Sequence, residues 1–250
     1  LAAGIPIPCT LSQKPALVYK LFSLVSSIPT HDVCAVPRFA PPFMGVVLMR
    51  AVANAWAMLG LLASLPVAAG TVQFQLQDAA GKPLGDAVVF LESREARALV
   101  KPAQGAEMAQ KGKQFDPTVL VVPVGTSVGF PNRDTVRHHV YSFSPVKTFE
   151  LKLYSGVPAN PVVFDKIGIA VLGCNIHDAM TAWVVVVDTP YFGRSTPAGS
   201  VALAQIPPGN YRLRLWHPAL PVGAPAIDQA LVVTAADQNV SYRFTGINGP

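Results

Sequence analysis

Cysteine and charge are both scarce in this chain. Its 250 residues include three cysteines, and 13% of the residues are charged. Cys9 and Cys34 lie near the amino terminus, so Cys174 is alone in the rest of the sequence. A disulfide framework within residues 70–250 is excluded, because it needs a second cysteine. A lone cysteine of this kind is a reactive thiol, an intermolecular partner or a metal ligand.

Further absences exclude classes of function. Four basic residues against one acidic residue give the first 70 positions most of the net charge of +5. No basic cluster with interleaved aromatic residues remains, so nucleic-acid binding is not expected. The sequence also has no Ser-His-Asp order and no glycine-rich phosphate loop, and Asp134, Glu150 and Asp178 form no convincing acid–base pair. We therefore do not expect an enzyme.

The residues that are abundant favour β-structure. The chain has 24 prolines and 19 glycines, and half of its residues are hydrophobic. The stretches between the prolines and glycines are rich in Val, Thr, Phe and Tyr, and no long amphipathic helix pattern follows residue 70. This combination predicts an all-β sandwich or barrel with many turns.

An export signal is predicted over residues 44–69. Met49 and Arg50 precede an apolar run, and Val67 and Ala69 place small residues before a cleavage point. A positive start, an apolar middle and small residues at the end are typical of a secretory signal peptide, here cleaved after Ala69. The predicted location is the periplasm. A retained membrane anchor is the alternative, although the run is near the lower length limit for spanning.

The residues before this signal do not fit an exported protein. Residues 1–43 are rich in proline, lack periodicity and begin with Leu1. We expect them to be a non-native extension, with the true start at Met44 or Met49, or else a disordered one. They are left out of the fold prediction.

Three segments are predicted downstream. Residues 70–112 contain two strands around a Gly/Pro turn and then a polar connector, whereas residues 113–190 form a denser β-module. Residues 191–250 resemble the first segment and contain four more predicted strands separated by turns. Four strands by themselves bury little apolar surface. We therefore expect the first and third segments to complete one sandwich into which the middle module is inserted.

One short loop carries the strongest chemical signal. Cys174, His177 and Met180 are spaced at i, i+3 and i+6 between two predicted strands. Thiolate, imidazole and thioether are soft ligands, and a trigonal His2Cys site with a weak axial Met is a blue-copper ligand set. Zinc is the rival, but structural zinc sites rarely use a thioether. The loop lacks a second histidine, which must come from elsewhere.

Two adjacent histidines are the candidates for that ligand. His138 and His139 lie on one predicted strand, so their side chains point to opposite faces and only one can enter the interior. Another histidine, His217, is far away in sequence and near a turn. We expect His217 to be structural.

These motifs resemble the cupredoxin family, in particular the plastocyanin and amicyanin group. The resemblance covers residues 113–188. It rests on four motifs: Phe115-Asp-Pro117, Gly125-Thr-Ser-Val128-Gly-Phe130-Pro-Asn132-Arg-Asp134, His138-His139-Val140 and Cys174…His177…Met180. The six-residue spacing from Asn132 in that family assigns His138 as the ligand. His139 is then expected to lie outside the ligand set or to face solvent.

Two further resemblances concern the same module and the outer segments. The phrases His138-His-Val-Tyr-Ser-Phe-Ser144 and Leu172-Gly-Cys-Asn-Ile-His-Asp178 are similar to exported proteins called methylamine utilisation proteins. The outer segments resemble a carboxypeptidase-regulatory-like, transthyretin-type sandwich through Ile206-Pro-Pro-Gly-Asn-Tyr211.

The cupredoxin resemblance implies a function. It implies a Greek-key β-sandwich with one type 1 copper held by His138, Cys174, His177 and Met180, which carries single electrons and is not an enzyme. A redox partner would dock on the apolar surface around His177, and a membrane would be contacted only if the signal were retained. The alternatives are a copper-handling protein without a redox partner and a structural β-protein with a vestigial site.

Two departures from the family pattern concern the ligand loop. His139 stands where the family usually has Asn, and Asn175 stands where it often has Pro. In the family that Asn side chain fixes the cysteine loop. We expect Asn175 or His139 to supply the missing bond.

Overall fold

The computed structural model describes residues 69–247, and these are predominantly β-strands. The prediction of an all-β fold is confirmed. The one helix in this range, α1 (Arg94–Ala98), has five residues and begins at Ser93, whose hydroxyl accepts from the Ala96 N–H. No helix among the described residues is long and apolar enough to span a bilayer. The predicted extension and signal peptide lie outside the described residues, apart from Ala69.

The strands outside the middle module form two sheets. One has the order β14-β1-β17 and the other β13-β2-β15-β16. Residues from both sheets share one hydrophobic core. The bounds are β1 (Gly70–Gln77), β2 (Val88–Glu92), β13 (Phe192–Arg194), β14 (Ser200–Ile206), β15 (Gly209–Trp216), β16 (Ile227–Val233) and β17 (Gln238–Arg243).

Strand β1 shows why these residues form sheets. Its burial alternates, with Val72, Phe74 and Leu76 in the core and glutamines between them, which is the period of a strand with one buried face. It pairs antiparallel with β14 and parallel with β17. Strands from before and after the middle module therefore belong to the same sheets.

The middle module also has two sheets. They have the orders β6-β12-β11-β8-β9 and β10-β7-β3, and β4 and β5 form a separate pair. The bounds are β3 (Ala106–Glu107), β4 (Ala109–Lys111), β5 (Gln114–Asp116), β6 (Val119–Pro123), β7 (Thr126–Gly129), β8 (His138–Ser144), β9 (Lys147–Tyr154), β10 (Val162–Phe164), β11 (Gly168–Gly173) and β12 (Thr181–Val187).

The two sheets of the middle module enclose a second core. Buried residues from both sheets make it up, and Cys174 and Met180 belong to it. Strands β3 and β4 precede residue 113 but pair with β7 and β5. The pairing of this module therefore begins at Ala106, earlier than the predicted boundary.

Strand β12 is covered on both faces, which explains its continuous apolar run. Ala182, Val184 and Val186 enter the core of the middle module. Val185 and Val187 point the other way and pack in a third cluster that includes Trp216. A strand buried on both faces needs apolar residues at every position, not at every second one.

Candidate metal site

The loop of residues 174–180 is held at both ends by neighbouring strands. Strand β11 ends at Gly173, strand β12 begins at Thr181, and these two residues face each other in the antiparallel register. Inside the loop, the Met180 N–H donates to the His177 carbonyl at 2.9 Å. The soft side chains are therefore carried by a short closed turn on a rigid pair of strands.

His138 reaches the same place from strand β8. This strand lies beside β11, with Tyr141 opposite Gly173. The His138 side chain is fully buried, and its Nδ1 is 3.9 Å from the Cys174 Sγ. The ring centroids of His138 and His177 are 5.1 Å apart.

Three of the four predicted ligands form one cluster. One ligand atom each from His138, Cys174 and His177 lies within 4.8 Å of the other two. Met180 is buried in the same core cluster as Cys174, and its backbone bond to His177 places it at the closing end of the loop. The structure thus brings ligand atoms of His138, Cys174 and His177 together, and Met180 shares the loop and the core cluster of Cys174.

The donor set fits a soft metal ion. Cys174 is a buried free thiol. The Nδ1 of His177 is buried and has no hydrogen-bond partner. A buried polar atom without a partner is costly, and a bound ion would satisfy it. Thiolate and imidazole donors with a thioether nearby suit copper better than hard cations.

Asn132 holds the segment that leads to His138. Its side-chain amide donates to the carbonyls of Val136 and Tyr154, both at 2.9 Å. Its side-chain oxygen accepts from the Asp134 N–H at 2.9 Å. The turn before strand β8 is therefore closed by one buried side chain, which fixes where the strand begins.

Asp134 contacts His138 directly. Its Oδ2 lies 2.8 Å from the His138 Nε2. Burial opposes the charge of this carboxyl, but hydrogen bonds from Lys113, His138 and Gly112 hold the pKa of Asp134 below its usual value. An ionised carboxylate only accepts hydrogen bonds, so the His138 Nε2 carries the proton and its Nδ1 faces Cys174.

His139 contacts the neighbouring strand and not the cluster. Its Nε2 lies 2.9 Å from Glu150 Oε1 on strand β9, and its ring packs against Tyr141. It is buried and does not face solvent. The bond to Glu150 engages strand β9 and not the ligand loop, and Asn175 is exposed.

The hydrogen bonds of the Tyr154 side chain were not predicted from the sequence. Its hydroxyl lies 2.6 Å from the Phe130 carbonyl and 2.9 Å from Gln110 Oε1. Burial raises the pKa of Tyr154 to about 12. No local pattern indicates this residue, because the partners of its hydroxyl are 24 and 44 positions away.

His217 lies in the outer sandwich, where backbone groups engage both of its nitrogens. Its Nε2 donates to the Gly85 carbonyl at 3.0 Å, and its Nδ1 accepts from the Ala219 N–H at 3.0 Å. Burial lowers the pKa of His217. These bonds match the structural role expected for it.

The comparisons with known proteins found similarity to solved structures over part of the chain. No family model and no curated protein matches. Among solved structures, the chain is similar to a purple cupredoxin from Nitrosopumilus maritimus, with 22% identity over 33% of this chain and 99% of that one and a TM-score of 0.30. A reduced mutant of amicyanin has 25% identity over 40% of this chain and 98% of that one, with a TM-score of 0.31.

These structures are cupredoxins. A copper-containing nitrite reductase (NirK) from Thermus scotoductus SA-01 is also similar, with 24% identity over 38% of this chain and a TM-score of 0.31. The matched region spans 27% of that enzyme's chain. Each of these matches covers less than half of this chain.

Proposed function

We propose that this protein is an exported type 1 copper protein that carries single electrons. The observation that carries the proposal is the cluster of His138, Cys174 and His177, whose ligand atoms lie within 4.8 Å of one another. The buried, unpartnered Nδ1 of His177 supports it, because this atom is left without a partner unless an ion binds. Met180 completes the proposed ligand set.

Each proposed ligand has a distinct role. Cys174 would hold copper through its thiolate, His138 and His177 through their imidazoles, and the Met180 thioether would add a weak contact that tunes the potential. Copper held in this way can alternate between the +1 and +2 states. Copper held by four protein ligands would have no coordination position left for a substrate, so we propose an electron carrier and not an enzyme.

The frame around the ligands suits electron transfer. The ligand loop is closed between strands β11 and β12, and Asn132 fixes the approach to His138. His138 and Cys174 are buried, so water is kept from them. A site that holds one geometry in both oxidation states loses little energy to rearrangement when an electron arrives or leaves.

The partner is proposed to dock around His177. This side chain is the least buried of the cluster. Its neighbour Ile176 is 48% exposed, and Val136, whose carbonyl is bound by Asn132, is 40% exposed. These apolar side chains would let a redox protein approach the exposed edge of the imidazole.

Export and domain organisation complete the proposal. The signal over residues 44–69 would be cleaved after Ala69 and leave a periplasmic protein without Cys9 and Cys34. The intact mass of the protein recovered from the exported fraction would test this, and a mass for all 250 residues would reject it. The outer sandwich is proposed as a separate domain into which the copper module is inserted.

Copper addition to the purified protein tests the function. We expect one equivalent of Cu(II) to produce an intense thiolate-to-copper band in the visible spectrum, and Cys174→Ala to abolish it. Reversible voltammetry with rapid exchange would support a carrier over a copper-handling protein. A Cys174→Ala variant that keeps the band would exclude the proposed site.

A further inference from the structure

The turn between strands β4 and β5 lies beside the candidate metal site. Gly112 and Lys113 both have left-handed backbone angles, with φ of 62° and 58°. Two such residues in succession form the two-residue hairpin turn that matches the twist of its strands. Their backbone N–H groups point to one carboxylate: Gly112 donates to Asp134 Oδ1 at 2.7 Å and Lys113 to Oδ2 at 2.9 Å.

That carboxylate continues the chain of bonds to His138. Its Oδ2 accepts from the His138 Nε2–H at 2.8 Å, and the Asp134 N–H donates to Asn132 at 2.9 Å. Asp134 is therefore held from three directions, and its free choice of rotamer is lost. On the far side of the same imidazole, Nδ1 faces the Cys174 sulfur at 3.9 Å.

We propose that Asp134, clamped by the turn of Gly112 and Lys113, is a positioning residue that fixes the tautomer and orientation of His138 for metal binding. The inference rests on the proposed function. A carboxylate on the outer nitrogen of a ligand histidine sets the ring orientation and increases the basicity of the ligand nitrogen, and loss of such a partner typically costs about 10- to 100-fold in metal affinity.

A matched pair of variants separates this role from a general charge effect. Asp134→Asn removes one negative charge beside His138. Glu107→Gln removes one negative charge from an exposed carboxylate that binds Arg133, the neighbour of Asp134, at 2.8 Å. The Glu107 carboxylate belongs to this exposed surface pair, whereas Asp134 hydrogen-bonds to the ligand histidine.

The first measurements are copper affinity and reduction potential. We expect Asp134→Asn to lower Cu(II) affinity by about 10- to 100-fold and to weaken Cu(II) more than Cu(I), because the lost negative charge favoured the higher oxidation state. Each tenfold of that preference raises the potential by about 59 mV. Glu107→Gln should change neither quantity. Equal effects of the two variants, or no effect of Asp134→Asn, would overturn the inference.

A second measurement uses the metal-free protein. Nitrogen-15 NMR of the imidazoles should show His138 protonated at Nε2, with slow exchange of that proton in the native chain and faster exchange in Asp134→Asn. A proton on Nδ1 in the native chain would refute the proposal, even if the variant did not fold. Failure of the native chain to bind copper would reject the proposed function, and the tautomer would still decide this inference.

Discussion

Tyr141 packs directly on Gly173, the residue before Cys174. A Cβ added at Gly173 would lie 2.7 Å from the Tyr141 hydroxyl oxygen and 2.8 Å from Cζ. The two residues are also opposite each other in the pairing of strands β8 and β11. These strands carry His138 and lead into the Cys174 loop, so the spacing between the two ligands depends on a position where no side chain fits.

Gly173→Ala should therefore destabilise the protein and disturb the site. We expect a loss of about 1–3 kcal/mol in the free energy of unfolding, the usual cost of overpacking, measured by urea denaturation. Gly129→Ala is the control, because a Cβ there has its nearest contact at 3.6 Å with the flexible Glu107 side chain. In a Tyr141→Ala background the cost of Gly173→Ala should shrink. An undiminished cost would show that Tyr141 is not its cause.

The two adjacent histidines should respond differently to truncation. His138→Ala removes the imidazole whose Nδ1 is 3.9 Å from the Cys174 sulfur, and we expect loss of the thiolate-to-copper band. His139→Ala removes a side chain that bonds to Glu150, and we expect the band to remain with a changed potential. Visible spectra of the copper-loaded variants decide, and the reverse pattern would assign the ligand to His139.

Met180 should tune the reduction potential of the proposed copper site but should not be required for copper binding. Its side chain is buried in the core of the middle module, and Leu has a similar volume, so Met180→Leu should cost less than about 1.5 kcal/mol of stability. Loss of a weak axial sulfur weakens Cu(II) more than Cu(I). We expect the coloured band to persist and the reduction potential to rise in voltammetry. An unchanged potential would exclude Met180 as the axial ligand.

Stability should fall in mild acid partly because of His217. Burial lowers the pKa of this histidine below its usual value of about 6.5. Below about pH 6.5 the unfolded chain therefore binds a proton at His217 that the folded chain does not bind. The contribution of neutral His217 to the free energy of unfolding is complete above this pH and is lost as the pH falls towards the folded pKa. Urea unfolding at about pH 7.5 and about pH 5.5 should show a smaller loss for His217→Gln than for the native chain. Equal losses would contradict this assignment.

Local sequence was sufficient to predict several features of the fold. The continuous run of strand β12 predicted a buried strand, and the structure covers both of its faces. The i, i+3, i+6 spacing predicted that Cys174, His177 and Met180 share one loop, and they do. Alternation along β8 predicted that His138 and His139 would face opposite sides, since successive side chains of a strand must do so. These features depend on a few neighbouring residues.

The pairing of strands that are distant in sequence could not be predicted from local sequence. Strands β3 and β4 precede the predicted module boundary yet pair with β7 and β5, and β1 pairs with β17 from the far end of the chain. Which strands become neighbours depends on how two sheets close around a common core. No short window of sequence contains that information.

Spacing and side-chain chemistry are local properties, so the amino-acid sequence alone was enough to predict the all-β class, the proposed soft ligands and the two candidate histidines. The contacts that support the proposed ligands depend on the tertiary structure. The hairpin turn of Gly112 and Lys113 meets Asp134 more than 20 positions away, and Asp134 then meets His138. Such contacts arise when strands distant in sequence are packed into one sandwich, and a carboxylate in a loop acquires its function from the backbone donors that packing brings to it.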